Sequence, residues 1–286
     1  MTTWENPSRL DRVEDGRSDG DWVAGLWAGG QARVLAVSDD GRVAWAGDGL
    51  ALRPAEGDRQ DRDLLAGLVD AAPVFVRTGE QLDDAPTLRA VMDGLDGTEL
   101  QLAFTAVALA DWHRRSGYCS ECGAATVAVR AGASRSCTGC GVEAYPRVDP
   151  AVIVAVTDAD DRLLLGRQPS WPAGRVSVFA GFTEAGESLE QAVHREVFEE
   201  VGLRLGRPRY LGSQPWPFPR SMMLGFTARA LDTAITLDTN EIEAARWFSR
   251  AELDAGLTAG EVALPMPTSI AYRMITAWRE GRLGAA

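Results

Sequence analysis

Glu196, Glu199 and Glu200 crowd one short stretch of the chain, GFTEAGESLEQAVHREVFEEVGL, residues 181–203. They stand at i, i+3 and i+4, so a helix places all three on one face, where like charges destabilise it. Val193, Val197 and Val201 form a neighbouring apolar strip, so the same helix has a core to pack on. Crowded carboxylates beside a buried strip need a compensating cation. Hard divalent ions with oxygen ligands supply one, and magnesium binds through a few carboxylates together with substrate phosphates. Taken alone, a Glu-x-x-Glu-Glu run is usually a solvated acidic face. The surrounding residues narrow the reading. Ser188 and Gln191 have the spacing of a capping box, which starts the helix near Ser188, and Gly202 sits where it would stop. Arg195 is placed to orient a carboxylate through a bidentate pair, with Glu187 or Glu200 as the partner.

A second stretch, SQPWPFPRS at residues 213–221, alternates three prolines with Trp216 and Phe218. Proline fixes φ and restricts its predecessor, so a stiff, extended segment is expected that presents aromatic faces at low entropic cost. Gln214 and Ser221 bracket it as polar contacts. A third pattern is Cys119, Cys122, Cys137 and Cys140, two Cys-x2-Cys knuckles each followed by glycine. Four thiolates so spaced predict a tetrahedral zinc site with no open position, structural and not catalytic. Two disulfides or a redox pair are the alternatives, and disulfides fit poorly with a chain that shows no export signal.

These residues need elements to hold them. VLAVSDDGRVAWA predicts two short strands around an Asp-Asp-Gly turn, and AAPVFVRT another strand. Leu100, Phe104, Val107 and Trp112 space a helix over about residues 99–115. PAVIVAVTD and RLLLGRQ read as strands, RVSVFAGF as a strand running into the acidic stretch, and TSIAYRMITAWREG as a C-terminal helix. Interleaved strands and helices indicate a mixed α/β protein, expected as an N-terminal domain over residues 1–117, a four-cysteine ribbon over 118–145 and a third domain over 146–286.

Composition sets the outer limits. With 286 residues, 45% of them hydrophobic, the chain can bury a sizeable core. A net charge of −12 argues against strong non-specific nucleic-acid binding. No apolar run approaches the length that spans a bilayer, and the polar N-terminal stretch lacks an apolar signal region. A cytoplasmic protein with no membrane partner is expected.

Residues 181–203 match the Nudix box, Gly-x5-Glu-x7-Arg-Glu-U-x-Glu-Glu-x-Gly-U with U aliphatic, at every defined position. Residues 213–221 resemble the Ser-Gln-Pro-Trp-Pro-Phe-Pro-x-Ser motif of the NADH pyrophosphatase branch of that family. The resemblance implies a Nudix α/β/α sandwich preceded by a zinc ribbon and an N-terminal mixed α/β domain. It implies Mg2+ or Mn2+ dependent hydrolysis of NADH or NAD+ to nicotinamide mononucleotide and AMP, removal of NAD caps from RNA 5′ ends, and a homodimer. By the same resemblance, Glu196, Glu199, Glu200, the carbonyl of Ala180 and Glu241 hold the cations, with Glu243 as the rival of Glu241. Glu199 is a candidate for the base. Tyr145, Phe182, Arg89, the segment Gln214, Pro215, Trp216, Pro217, Phe218, Pro219, Arg220 and Ser221, and the backbone of Ala271 contact the substrate. The competing expectation is a Nudix-fold sensor that binds a nucleotide without cleaving it; three crowded carboxylates weigh against it.

Overall fold

The computed structural model describes residues 8–283. The expected domain limits and the reading of the N-terminal stretch also take in residues 1–7 and 284–286, which lie outside the described residues. The chain forms two compact units. Among the described residues, the first comprises 8–148 together with Pro217–Arg220, and the second comprises Asp149–Trp216 and 221–283.

In the first unit, a five-stranded sheet runs in the order Leu10–Asp11, Asp63–Val69, Ala72–Thr78, Arg33–Val37, Leu52–Pro54. The Asp-Asp-Gly turn forms, with Gly41 at φ +81°, but only one bridge, Val37 to Val43, joins its arms. Trp45–Ala46 pairs instead with Gly49–Leu50. Sequence reading missed a helix, Gly20–Ala28. Its glycines look like a loop, yet the Asp19 side chain caps the first turn, and Val23 and Trp27, four residues apart, are buried. Trp27 meets Phe75 edge to face at 5.0 Å within a core that includes Val34 and Leu65. The expected helix spans Gly97–Arg115 and is capped by Asp96. The three-stranded ribbon, Thr126–Val129, Ser134–Cys137 and Glu143–Ala144, follows it. His113 links the two: one ring nitrogen lies 2.8 Å from the Gly132 carbonyl and the other 2.9 Å from Arg135. Arginine can only donate, so the imidazole is neutral, and burial accordingly lowers its pKa.

The second unit is a six-stranded mixed sheet built on Asp149–Thr157. This strand runs parallel to Ser221–Arg229 and antiparallel to Phe179–Phe182. Side-chain alternation divides the core. Val152, Val154 and Val156 face the helix Leu189–Val201, which buries Ala192, Val193, Val197 and Val201. Ile153 and Ala155 face the other layer, where Leu253, Met274, Ile275 and Trp278 come from the helices Arg250–Ala259 and Ile270–Arg279. A sheet between two helical layers is the α/β/α sandwich expected. The segment RVSVFAGF is strand only at Phe179–Phe182.

The proline-rich segment is not extended throughout. Arg209–Trp216 and Ser221–Arg229 form an antiparallel ladder ending at the pair Trp216–Ser221, so residues 217–220 must turn. The Phe218–Pro219 bond is cis.

Candidate functional site

The carboxylate helix forms where expected. Ser188 and Gln191 make a reciprocal capping box, and Gly202, at φ +72°, ends the helix with its N–H on the Phe198 carbonyl. The strand Phe179–Phe182 feeds the loop before this helix, and Gly181 lies under the Glu196 carboxylate. A Cβ at position 181 would sit 1.9 Å from that carboxyl carbon, so no other residue leaves Glu196 where it is. Ala180 is one residue earlier on the same strand, with its methyl packed toward the opposite layer.

Arg195 spends its donors on the acidic face. Its Nε and Nη2 each donate to Glu187 at 2.8 Å, which settles Glu187 and not Glu200 as the bidentate partner. Nη1 donates to Glu196 at 2.8 Å and to Glu199 at 3.1 Å, and Nη2 also reaches the Phe182 carbonyl at 2.8 Å. The hydrogen bonds from Arg195, and then the Glu184 N–H, hold the Glu187 carboxyl below the usual carboxylate range. Both oxygens of Glu187 are committed to the guanidinium. The expected catalytic set thus divides: Glu187 and Arg195 position, while Glu196, Glu199 and Glu200 present oxygens.

Glu200 is 4% exposed, and its Oε2 has no hydrogen-bond partner among the described residues. Burial first, then the charges of Glu196, Glu241 and Glu199, pushes its carboxyl up to about 8. Glu196 is raised for the same first reason, against the pull of Arg195. A buried carboxylate facing three others needs a cation to stay ionised. The orphaned oxygen is the observation that fits a divalent ion here. Glu241 acts on both Glu196 and Glu200, so its charge faces the cluster. Its rival Glu243 is ion-paired with Arg167. Sequence reading missed Arg167, because nothing local announces a partner 76 residues away.

Among the substrate-contact candidates of the second unit, the Phe182 ring is 57% exposed at the edge of the box and can stack on a flat ring. Trp216 is half-buried, and Ser221 closes the ladder beside it. Pro215 pairs with Met222 in that ladder. Gln214 is not a surface contact. It is fully buried, donates to the Thr268 carbonyl at 2.8 Å and accepts from the Ile270 N–H at 2.6 Å. It pins the start of the C-terminal helix, where Ala271 is buried in the core.

The other candidates belong to the first unit. Arg89 lies 4.9 Å from the centre of the Phe218 ring, which also meets Phe104 edge to face at 6.2 Å. Pro217, Phe218 and Pro219 join Arg89, Asp111 and Arg114 around a cavity of about 500 Å³. Phe218 is therefore packed, not displayed as a bare face. Tyr145, 58% exposed, is open to solvent.

The cysteines gather as the spacing predicts. All four sulfurs lie within 4.8 Å of one another, with Cys119–Cys140 at 3.7 Å and Cys122–Cys137 at 3.4 Å. Four sulfurs bound at about 2.3 Å to a central zinc would be about 3.8 Å apart. All four are free thiols, which removes the disulfide reading. The N–H groups of Cys140 and Gly139 push the Cys137 thiol down to about 6, favouring the thiolate a metal requires. Gly123 and Gly141, both at φ +74°, turn the backbone after each knuckle.

The model of the NUDIX domain matches residues 147–266, and that of the NADH pyrophosphatase zinc ribbon domain matches residues 114–145. The NAD-capped RNA hydrolase NudC of Mycobacterium bovis is 39% identical over 289 residues, covering 94% of this chain and 92% of the relative. NudC of Stutzerimonas stutzeri is 37% identical over 271 residues, covering 92% of each. The human NAD-capped RNA hydrolase NUDT12 is 36% identical over 252 residues, 84% of this chain and 51% of the human protein.

Proposed function

The chain belongs to the Nudix hydrolase family, in its NADH pyrophosphatase and NAD-capped RNA hydrolase branch, and from that premise we propose that it hydrolyses the pyrophosphate of NADH and NAD+, free or as the 5′ cap of an RNA. Water adds across the P–O–P bridge. One phosphorus gains the water oxygen, the bridging oxygen leaves on the other, and a proton is released. The products are nicotinamide mononucleotide and AMP or, from a capped RNA, a 5′-monophosphate end.

The observation that carries this reading is the buried Glu200 carboxylate, with an unpartnered oxygen, beside Glu196 and Glu241. Glu196, Glu199, Glu200, Glu241 and the Ala180 carbonyl would hold the divalent cation, magnesium or manganese. When bound, that ion neutralises phosphate charge and acidifies a water. Arg195, anchored on Glu187, keeps Glu196 and Glu199 from drifting apart. Glu199 is 59% exposed and is held only at one edge by Arg195, so it has the freedom to take a proton from water. Phe182 offers its exposed ring to a base. Arg89, Tyr145, Pro215, Trp216 and residues 217–221 are proposed to contact the substrate, while Gln214 holds the backbone behind them. A structural zinc in the ribbon, a homodimer and a cytoplasmic location complete the proposal. Among the described residues, no helix is long and apolar enough to cross a membrane.

The test is turnover of NADH and of NAD-capped RNA with Mg2+ or Mn2+, products separated by chromatography, beside Glu199→Gln. AMP with reduced nicotinamide mononucleotide, or 5′-monophosphate RNA, is expected from the unmutated protein alone. Tight dinucleotide binding with no cleavage would return the sensor reading to first place. Light scattering in solution tests the dimer.

A further inference from the structure

Between Asp161 and Glu184 the chain carries Arg162, Arg167 and Arg175 and no acidic residue, although its net charge is −12. The middle of this stretch is the loop 168–178. The loop joins the strand Leu163–Arg167 to Phe179–Phe182, the strand that carries Ala180, Gly181 and Phe182 of the site.

The loop is held at both ends. Arg167 pairs with Glu243, accepts the Glu243 N–H at 2.9 Å on its carbonyl, and donates from Nη2 to the Trp171 carbonyl at 2.8 Å. The far end is sewn to residues 261–263: the Ala263 N–H donates to the Gly174 carbonyl at 2.8 Å, and Val176 donates to Ala263 at 2.9 Å. Gly174, at φ +76°, lies so close that a Cβ there would sit 2.6 Å from the Glu261 carbonyl oxygen. On this braced loop the Arg175 guanidinium lies 5.4 Å from the centre of the half-buried Trp171 ring. The Nε atoms of Arg167 and Arg175 are buried and have no hydrogen-bond partner among the described residues.

An aromatic plane and an adjoining guanidinium on a braced loop are the chemistry that takes a base and its phosphodiester. The loop reaches the cluster through two short links: Glu243 is two residues from Glu241, and Phe179 packs against Gly166. We infer that Trp171 and Arg175 form a subsite for the nucleotide that follows the cap adenosine in an NAD-capped RNA. Trp171 stacks on its base and Arg175 faces the phosphodiester. The inference rests on the proposed cleavage of NAD caps and adds to it the part of the substrate that free NADH lacks. It also accounts for how a chain of charge −12 engages RNA: through a local basic loop and not through its overall field.

Two measurements on the full-length protein test this. The first compares kcat/KM on NAD-capped RNA and on NADH for Trp171→Ala and Arg175→Ala. Both variants keep the backbone bonds of the loop, and their melting temperatures serve as the folding control. Trp171→Ala is expected to lower kcat/KM on capped RNA roughly tenfold more than on NADH, the size of one lost base–aromatic stack. Arg175→Ala is expected to flatten the salt dependence for capped RNA. Equal losses on the two substrates, or none, would overturn the subsite. The second measures binding by fluorescence anisotropy, without turnover, of a short labelled 5′-monophosphate RNA in competition with AMP. The RNA is expected to bind more tightly than AMP to the unmutated protein, and Trp171→Ala is expected to erase the difference. An unmutated protein that binds the two equally has no such subsite, whatever its catalytic activity. One that binds the RNA through Trp171 but cleaves neither substrate would keep the subsite and sink the hydrolase reading.

Discussion

Gly181 is where one missing atom makes room for the chemistry. A methyl group there would occupy the space of the Glu196 carboxylate, 1.9 Å from its carbon. Gly181→Ala should therefore displace Glu196 and lower metal-dependent turnover at least 100-fold while leaving the rest of the helix in place. Steady-state kinetics beside a melting curve checks this: a large loss of activity with a shift of only a few degrees is expected. Glu200 makes a second prediction. Its pKa in the folded protein, about 8, is above the ordinary carboxylate value, so the folded state holds that proton more tightly than the unfolded one. The stability it contributes is full below about pH 4 and is lost as pH rises through about 8. In chelator, urea unfolding should show a fall on the order of a few kcal/mol between pH 5 and 9. Glu200→Gln should flatten that fall, and magnesium at pH 8 should reverse it in the unmutated protein. At this scale the sequence was informative. The spacing of Glu196, Glu199 and Glu200 located the acidic face, and Arg195 was read as the clamp, but its partner, Glu187 rather than Glu200, came only from the structure. The partner of Glu243 was hidden because Arg167 lies 76 residues away.

At the scale of elements, local signals decided what was legible. Ser188, Gln191 and Gly202 bound the box helix within a few residues of themselves, so its ends could be read directly. Ser188→Ala should cost about 1 kcal/mol of stability, measured by urea unfolding. The helix Gly20–Ala28 is announced locally only by the Asp19 cap, against four glycines in and after it. The hairpin of the proline-rich segment was misread because an alternating Pro-x-Pro pattern signals stiffness and says nothing of where a ladder ends. Gln214 is the clearest case. It reads as a polar surface contact, yet its amide joins the strand Arg209–Trp216 to the start of the helix Ile270–Arg279. Gln214→Ala should cost about 3 kcal/mol, because a buried carbonyl and N–H lose their partner and a void remains. Hydrogen exchange should show the first turn of that helix opening. Unchanged protection there would mean that Gln214 does not hold it.

For the whole molecule, the sheet order of either unit was not legible, because strand neighbours such as Asp149–Thr157 and Ser221–Arg229 are far apart in sequence. The α/β class and the ribbon were legible, since side-chain period and cysteine spacing are local. The ribbon has few buried residues of its own, among them Cys119, Cys137 and Ser134. The metal should therefore supply much of its folding free energy, on the order of 10 kcal/mol in comparable modules. Removing zinc with a strong chelator, or Cys119→Ser, should lower the melting temperature and solubility, and added zinc should restore only the chelated protein. A melting curve indifferent to both would mean that the thiol cluster carries no structural metal.

The first unit takes Pro217–Arg220 from beyond the first sixty-odd residues of the second. This has a consequence for synthesis. During translation the first unit stays four residues short until position 220 has left the ribosome, by which time the box helix has already emerged. Nor can the gene be divided at codon 148 into two self-sufficient products, since the first would lack its own residues and the second would carry a loop that belongs to the other.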